Sequence, residues 1–346
     1  MLNLADLDRA ALAKELNHLG AKPFCAVQLY EWIYKHGVTD FSAMNNLSKA
    51  LRAQLAERFT LSWPTVKAKY LDEDGTCKWV LELSDGYTIE TVYIPDKGRG
   101  TLCVSSQVGC AVGCAFCATG SMGFRRNLTL SEIIGQLKLA IDTYSTNLNQ
   151  DHAITNVVFM GMGEPLLNLD TVLAAIDLML DDHAYGLSKY RVTVSTSGVL
   201  PQLAKLQASE VALAISLHAT QNSLRDQLVP MNRAYPIEKL LAFCDHYYTD
   251  SRRAVTIEYI MINELNDSLD DAKRLAKLLA NGRYKVNLIP FNDVSNAKFK
   301  PSTSVRLNAF RDYLMSKGLT AITRRSRGSQ IAAACGQLVQ QLKEAK

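Results

Sequence analysis

The amino-acid sequence predicts an α/β fold built on repeated βα units, preceded by a smaller helical and antiparallel unit. Two observations carry that expectation. From Leu102 onward, short apolar strands alternate with segments of helical periodicity, which means parallel strands joined by right-handed crossovers and hence a doubly wound sheet or a full or partial barrel. Before Pro95 the order differs: helices come first, then strands separated by Asp-Gly pairs that mark antiparallel hairpins.

The elements follow in order. In CAVQLYEWIYKHG, Leu29, Trp32 and Ile33 fall on one helical face, and Gly37 is a natural stop. VKAKYL, CKWVLEL and YTIETVYI alternate as strands around Asp74-Gly75 and Asp85-Gly86, giving a small meander. In its last strand Glu90 shares a face with Val92 and Ile94, which reads as a satisfied charge at a sheet edge or, less simply, as a pocket acid. The core strands are LCVSSQ, NVVFMGM, RVTVSTSG, VALAISLHA, AVTIEYIMI, KVNLIPFN and TAITRRS. Thr129 and Glu132 form a T-x-x-E capping box for a helix opening at Leu130. The expected organisation is an accessory unit over 1–95, a core over 96–328 and a tail over 329–346.

Composition narrows the class. With 346 residues, 48% hydrophobic and 21% charged, the chain is that of a globular protein. No apolar run reaches the roughly 20 residues of a membrane span, and the N-terminus is acidic and helical in pattern, so a cytoplasmic location is expected. The net charge of +4 neither demands nor excludes a nucleic acid, and local clusters say more. Arg125 and Arg126, and Arg324, Arg325 and Arg327, could meet phosphates or could simply be solvated.

Cys110, Cys114 and Cys117 form C-x3-C-x2-C in one loop, three soft thiolates where an iron-sulfur cube has four ligand positions. One iron would stay open to a ligand. Cys103 could instead complete a four-sulfur zinc site, although zinc loops more often pair two C-x2-C units. Cys25, Cys77 and Cys244 are scattered, as buried small apolar residues are. In βα folds chemistry gathers at the carboxyl ends of the strands. There the sequence places Gly163-Glu164, Ser195 to Gly198, Ser216-Leu217-His218 and Asn292. Singly each is a turn or capping residue; beside one metal loop they could hold a zwitterionic, adenosine-bearing ligand.

The cysteine loop followed by GFRRNLT, then FMGMGEPLLN, VTVSTSGV, LAISLHA, LVPMNRAYP, VNLIPFN and a terminal ACGQL, resembles the radical S-adenosylmethionine RNA methyltransferases of the RlmN/Cfr type, in order from about Lys22 to Leu338. The resemblance implies an incomplete (β/α)6 barrel behind the N-terminal helical and antiparallel β accessory domain. It implies a 4Fe-4S cluster on Cys110, Cys114 and Cys117, with S-adenosylmethionine on the open iron. Gly163 and Glu164 would hold the cofactor's methionine portion, and Ser195, Ser216, Leu217, His218 and Asn292 the remainder. Cys335 would be the cysteine that carries the methyl group, Cys103 its resolving partner and Glu90 the proton acceptor.

By the same resemblance the reaction is methylation of an adenine ring carbon in 23S ribosomal RNA, with adenine 37 of tRNAs a further substrate. Such a carbon is electron-poor and lacks a nucleophilic lone pair, so a radical route through a covalent protein-RNA adduct replaces simple displacement. Pro165 points to C2 rather than the C8 chemistry of Cfr. An electron donor such as flavodoxin is implied, and a monomer is expected. From another class, a zinc-stabilised RNA-binding protein without catalysis stays open.

Overall fold

The computed structural model describes residues 1–144, 154–250, 252–292 and 298–338. Fourteen strands are described. The chain starts with β1 (Leu2–Asn3), which pairs in parallel with β2 (Phe59–Thr60) and so closes the N-terminal helices into one unit. The helix Phe24–Tyr30 runs into a π-helical turn, Glu31–Lys35, that buries Leu29 and Ile33 and leaves Trp32 half-buried. Gly37 then turns with φ +68°, as its position after the periodic run required.

β3 (Thr65–Leu71), β4 (Cys77–Glu82) and β5 (Thr88–Asp96) form the expected meander, with Gly75 and Gly86 both at positive φ in its turns. The meander does not stand apart. β5 pairs antiparallel with β6 (Arg99–Cys103), and β6 pairs in parallel with β9 (Asn156–Phe159), so one ten-stranded sheet crosses the expected boundary at 95/96. From β9 the sheet continues in parallel through β10 (Val192–Thr196), β11 (Ala212–Ser216), β12 (Val255–Met261), β13 (Tyr284–Pro290) and β14 (Thr320–Thr323). β6 and β9 to β13 supply six strands of a partial barrel, and β14 extends it. The remaining ribbon, β7 (Gln107–Gly109) with β8 (Phe124–Asn127), clasps the cysteine loop at its base.

β5 is an interior strand, which corrects the reading of Glu90 as an edge charge. Its carboxylate is fully buried and pairs with the equally enclosed Lys78 at 3.1 Å. Sequence alternation showed the face but could not show that β6 would cover the other side of β5.

One hydrophobic core joins the parts: Leu4, Leu29 and Ile33 share a cluster with Leu137, Ile176 and the strand residues Val157 and Val194. The Thr129–Glu132 box caps the helix Leu130–Tyr144, with the Thr129 backbone N–H donating to Glu132 at 3.0 Å. The N-terminal unit adds a second cap, since Asp6 accepts from the Ser131 N–H at 2.9 Å. Among the described residues no helix is long and apolar enough to cross a membrane.

Candidate active site

The cysteine loop leaves β7 at Gly109, whose φ is +74° and where any Cβ would lie 1.8 Å from the Gly123 carbonyl oxygen. Only glycine permits that approach. The loop returns on itself, with Cys110 N–H bonded to Gly123 and Cys117 N–H to Cys114, and the short helix Ala118–Ser121 begins directly after Cys117. Two neighbours fix its outer side: Ala115 N–H donates to Leu228 at 3.0 Å, and Ala118 N–H donates to Gly336, next to Cys335, at 2.8 Å. Burial pushes the Cys110 thiol up to about 12 and raises Cys114 and Cys117 as well. For Cys114 the next cause is the charge of the other two, so the three sulfurs feel one another.

Opposite the loop lie the strand ends. Gly163 has φ +100°, and a Cβ there would sit 2.5 Å from the Gln107 Cβ, while the Glu164 N–H donates to the Gln107 side chain at 2.9 Å. The Glu164 carboxylate is buried and accepts from the N–H and O–H of Ser197, both at 2.8 Å, and from Leu166 N–H. Burial still raises its pKa. Ser195 is half-buried on β10, one strand over from Ser216 at the end of β11. Leu217 and His218 both donate through their N–H groups to the Glu258 carbonyl. His218 adopts φ +61°, accepts at Nδ1 from Ile260 N–H at 3.0 Å and packs its ring edge-on against Phe116 of the cysteine loop. Burial lowers its pKa to about 3, which keeps the imidazole neutral.

A cavity of about 420 Å³ adjoins this region. Cys103, at the end of β6, and Cys335, in the tail, both line it, together with Asn292, Met160 and the arginines of the 324–327 run. The tail is strapped down on both sides of Cys335. Gly328 and Gln330 donate N–H groups to Asp74 and Asp72, Lys78 donates to the Ala332 carbonyl, Asn292 Nδ2 reaches the Cys335 carbonyl at 3.4 Å, and Thr119 Oγ1 bonds Leu338. Cys335 is open to the cavity, while the protein around it, and then the Glu258 carboxylate, push its thiol up. Cys103 is raised further, by burial first and Cys335 second. Residues 339–346 of the expected tail lie outside the described residues.

Glu90 is not among the cavity-lining residues. It reaches the tail through Lys78, whose Nζ bridges its carboxylate and the Ala332 carbonyl. The two arginine clusters also divide. Arg126 is locked to Glu132 by two hydrogen bonds and to Asp85, so it braces the β7–β8 ribbon to the capped helix. Arg125, Arg324 and Arg325 are exposed, and Arg327 faces Asp74 at 3.9 Å.

Two buried charged side chains escaped the sequence reading. Glu258, on β12, is buried on the cavity wall; Oε1 accepts from Asn287 Nδ2 at 2.8 Å, while no protein hydrogen bond is described for Oε2. It sat in an apolar strand pattern, where a lone carboxylate was the only hint. Arg225, on the helix Asn222–Leu228, is completely buried, and no motif singles it out in the sequence.

The site fits an iron-sulfur cluster with S-adenosylmethionine. Three half-buried thiols, two of which raise the pKa of the third, become thiolates when a cation replaces their protons. The tight Gly163 turn, which a Cβ would fill, brings Glu164 and the loop together. Cys103, the fourth sulfur that a zinc site would need, lines the cavity with Cys335 instead.

Comparison with known proteins agrees. Residues 2–61 match the model of the ribosomal RNA large subunit methyltransferase N-terminal domain, and residues 104–279 match the radical SAM superfamily. The dual-specificity RNA methyltransferase RlmN of Alkalilimnicola ehrlichii is 53% identical over 340 residues, covering 98% of this chain and 94% of that protein. The crystal structure of a radical SAM methyltransferase from Sphaerobacter thermophilus superposes with a TM-score of 0.91 at 41% identity, over 98% of this chain and 99% of that one. With both family domains present and nearly the whole length matched, the chain belongs to the RlmN family of radical S-adenosylmethionine RNA methyltransferases, enzymes that use a 4Fe-4S cluster and S-adenosylmethionine.

Proposed function

We propose that this enzyme methylates C2 of an adenine in 23S ribosomal RNA and of adenine 37 in tRNAs, with Cys335 as methyl carrier and Cys103 as the thiol that frees the product. The observation that carries the reading is the pair of cysteines lining one cavity that arginines border. Cys110, Cys114 and Cys117 would hold the cluster, and Gly163, Glu164, Ser195, Ser216, Leu217, His218 and Asn292 would surround S-adenosylmethionine. When bound, that pair supplies the methyl group and the one-electron chemistry that an electron-poor ring carbon needs.

The chain's own residues do the rest. Cys335 takes the methyl group on Sγ and, after joining the ring through that carbon, holds the RNA covalently. Glu90, held by Lys78 beneath the tail strap, would be the acceptor of the proton displaced from the ring carbon. Attack of the Cys103 thiolate on the Cys335 sulfur forms a disulfide as the S–C bond breaks; the bond's electron pair stays with the released carbon, which takes up a proton to become the methyl group, and two external thiols or a dithiol then reduce the pair. A flavodoxin-like protein feeds the cluster, and the enzyme works as a cytoplasmic monomer. The 1–95 unit and the 329–346 tail flank the 96–328 core as accessory and methyl-carrying parts.

Mapping the methyl group tests the reading. Ribosomal and transfer RNA treated with the reconstituted enzyme should yield 2-methyladenosine on digestion; 8-methyladenosine in its place would transfer the assignment to the C8 chemistry.

The arginine border predicts a salt effect. Neutralising Arg324 and Arg325 together should weaken RNA binding and flatten its dependence on log salt by about 0.7 to 0.9 for each phosphate left without its cation, measured by fluorescence anisotropy across a salt series. Arg126→Gln should instead lower the melting temperature with no change in that slope, because its charge is already matched by Glu132 and Asp85.

Tail geometry gives a second test. Gly328 turns at φ +64°, and a Cβ there would lie 2.7 Å from Ala333 and 2.8 Å from Thr76. Gly328→Ala costs about 1 to 2 kcal/mol for the backbone alone, so the strap carrying Cys335 should shift and single-turnover methylation should fall about tenfold or more. Cluster absorbance should be unchanged.

A further inference from the structure

Arg225 is the most enclosed cation of the described chain, and its hydrogen bonds are unusual in kind. Nη2 donates to the carbonyls of Ser197 at 2.8 Å and Ser216 at 3.0 Å, Nε donates to Leu217 at 3.0 Å, and Nη1 donates to the Asn232 side chain at 3.0 Å. Every acceptor is neutral. The ion pairs of the described residues include none to Arg225; the Asp226 carboxylate, which accepts from Asn232 Nδ2, acts on it through space without a hydrogen bond, after Cys114. A charge taken wholly out of water without a countercharge is costly, and proteins keep such a charge where an anion comes to meet it.

The anion's place is set by packing. The helix bearing Arg225 ends at Leu228, whose carbonyl holds Ala115 of the cysteine loop. Leu228 and Leu224 share a small apolar cluster with Val112, Cys110, Cys114 and Phe116. Burial pulls the guanidinium down to about 10, and its leading opposing influence is Cys114. On its other side the fork gathers the carbonyls at the ends of β10 and β11, the same segments whose Ser197 N–H and O–H hold Glu164.

We propose that Arg225 is the positioning residue of the cofactor site: its fork sets the ends of β10 and β11 around S-adenosylmethionine, and its charge is the buried counter-ion of the cluster, favouring the reduced form. A fixed positive charge beside a cluster stabilises the state with one more electron. The inference rests on the family's cofactors and not on the proposed RNA reaction, so loss of the RNA assignment would leave its readouts unchanged.

The test uses the full chain with its cluster reconstituted anaerobically, in wild-type, Arg225→Gln and Arg225→Lys forms of equal iron content. The reduced-to-oxidised ratio is read by electron paramagnetic resonance at fixed solution potentials, and S-adenosylmethionine affinity by equilibrium binding. Removing the charge in Arg225→Gln should lower the ratio about tenfold, equivalent to 59 mV for a one-electron couple. Arg225→Lys keeps the charge but not the fork, so its ratio should stay within about twofold of wild type while S-adenosylmethionine binds about tenfold more weakly. A Gln protein with the wild-type ratio overturns the proposal. Should that protein fail to load, the Lys protein decides: a wild-type ratio with weakened binding upholds the proposal, and a lowered ratio or unchanged binding overturns it.

Discussion

Cys103→Ala should trap the enzyme on its RNA, whereas Cys335→Ala should form neither product nor adduct. The two thiols line one cavity but stand in different frames, Cys103 in a strand of the sheet and Cys335 on a strap whose carbonyls are held by the Lys78 and Asn292 side chains. Losing the carrier removes the atom that bonds to the ring. Losing the resolving thiol leaves that bond formed and unbroken. Denaturing electrophoresis of RNA recovered with each purified variant reads the difference, and mass spectrometry of the nuclease-trimmed peptide places the adduct. A modified Cys335 in the Cys103→Ala protein would support the scheme; free, normally methylated RNA from that protein would remove Cys103 from it. Cluster spectra of both variants should match the wild type, since neither residue belongs to the loop.

Alanine at any one of Cys110, Cys114 or Cys117 should abolish methylation and reductive cleavage of S-adenosylmethionine together, by a factor of at least about 10³. Three thiolates leave no spare protein ligand for a cube. The effect on the fold should be small, because the loop is held by Gly109, by the Ala115 bond to Leu228 and by Ala118 against the tail, none of which uses a sulfur. Iron and sulfide content, the visible absorption band and thermal melting of the cluster-free protein measure the two sides separately. A single variant with full iron and normal turnover would show that the loop is not the cluster's seat.

Much of this was legible in the residues. Strand and helix periods gave the seven parallel strands, and the Asp-Gly pairs gave the meander, because each depends on local sterics and on alternation that a short segment carries within itself. The capping box at Thr129 was readable for the same reason. Glu90 was misplaced because its partner, Lys78, lies on the neighbouring strand, and enclosure by β6 is a property of pairing order. Arg225 and Glu258 were passed over because a charged residue announces nothing about its burial.

The sequence by itself determined the fold class, the thiolate triplet and, through the ordered set of motifs from the cysteine loop to the terminal ACGQL, the family. Those are matters of spacing and residue type, which survive without coordinates. Only the tertiary structure put Cys103 and Cys335 on the wall of one cavity, joined the meander and barrel in one sheet, made Arg126 a brace and Arg324 a cavity wall, and buried a guanidinium beside the cysteine loop. Residues 103 and 335 stand 232 positions apart in the chain. Such pairings are set by strand order and by how a terminal strap is tied to neighbouring carboxylates and amides, and these long-range contacts leave no periodic trace in the segments they join.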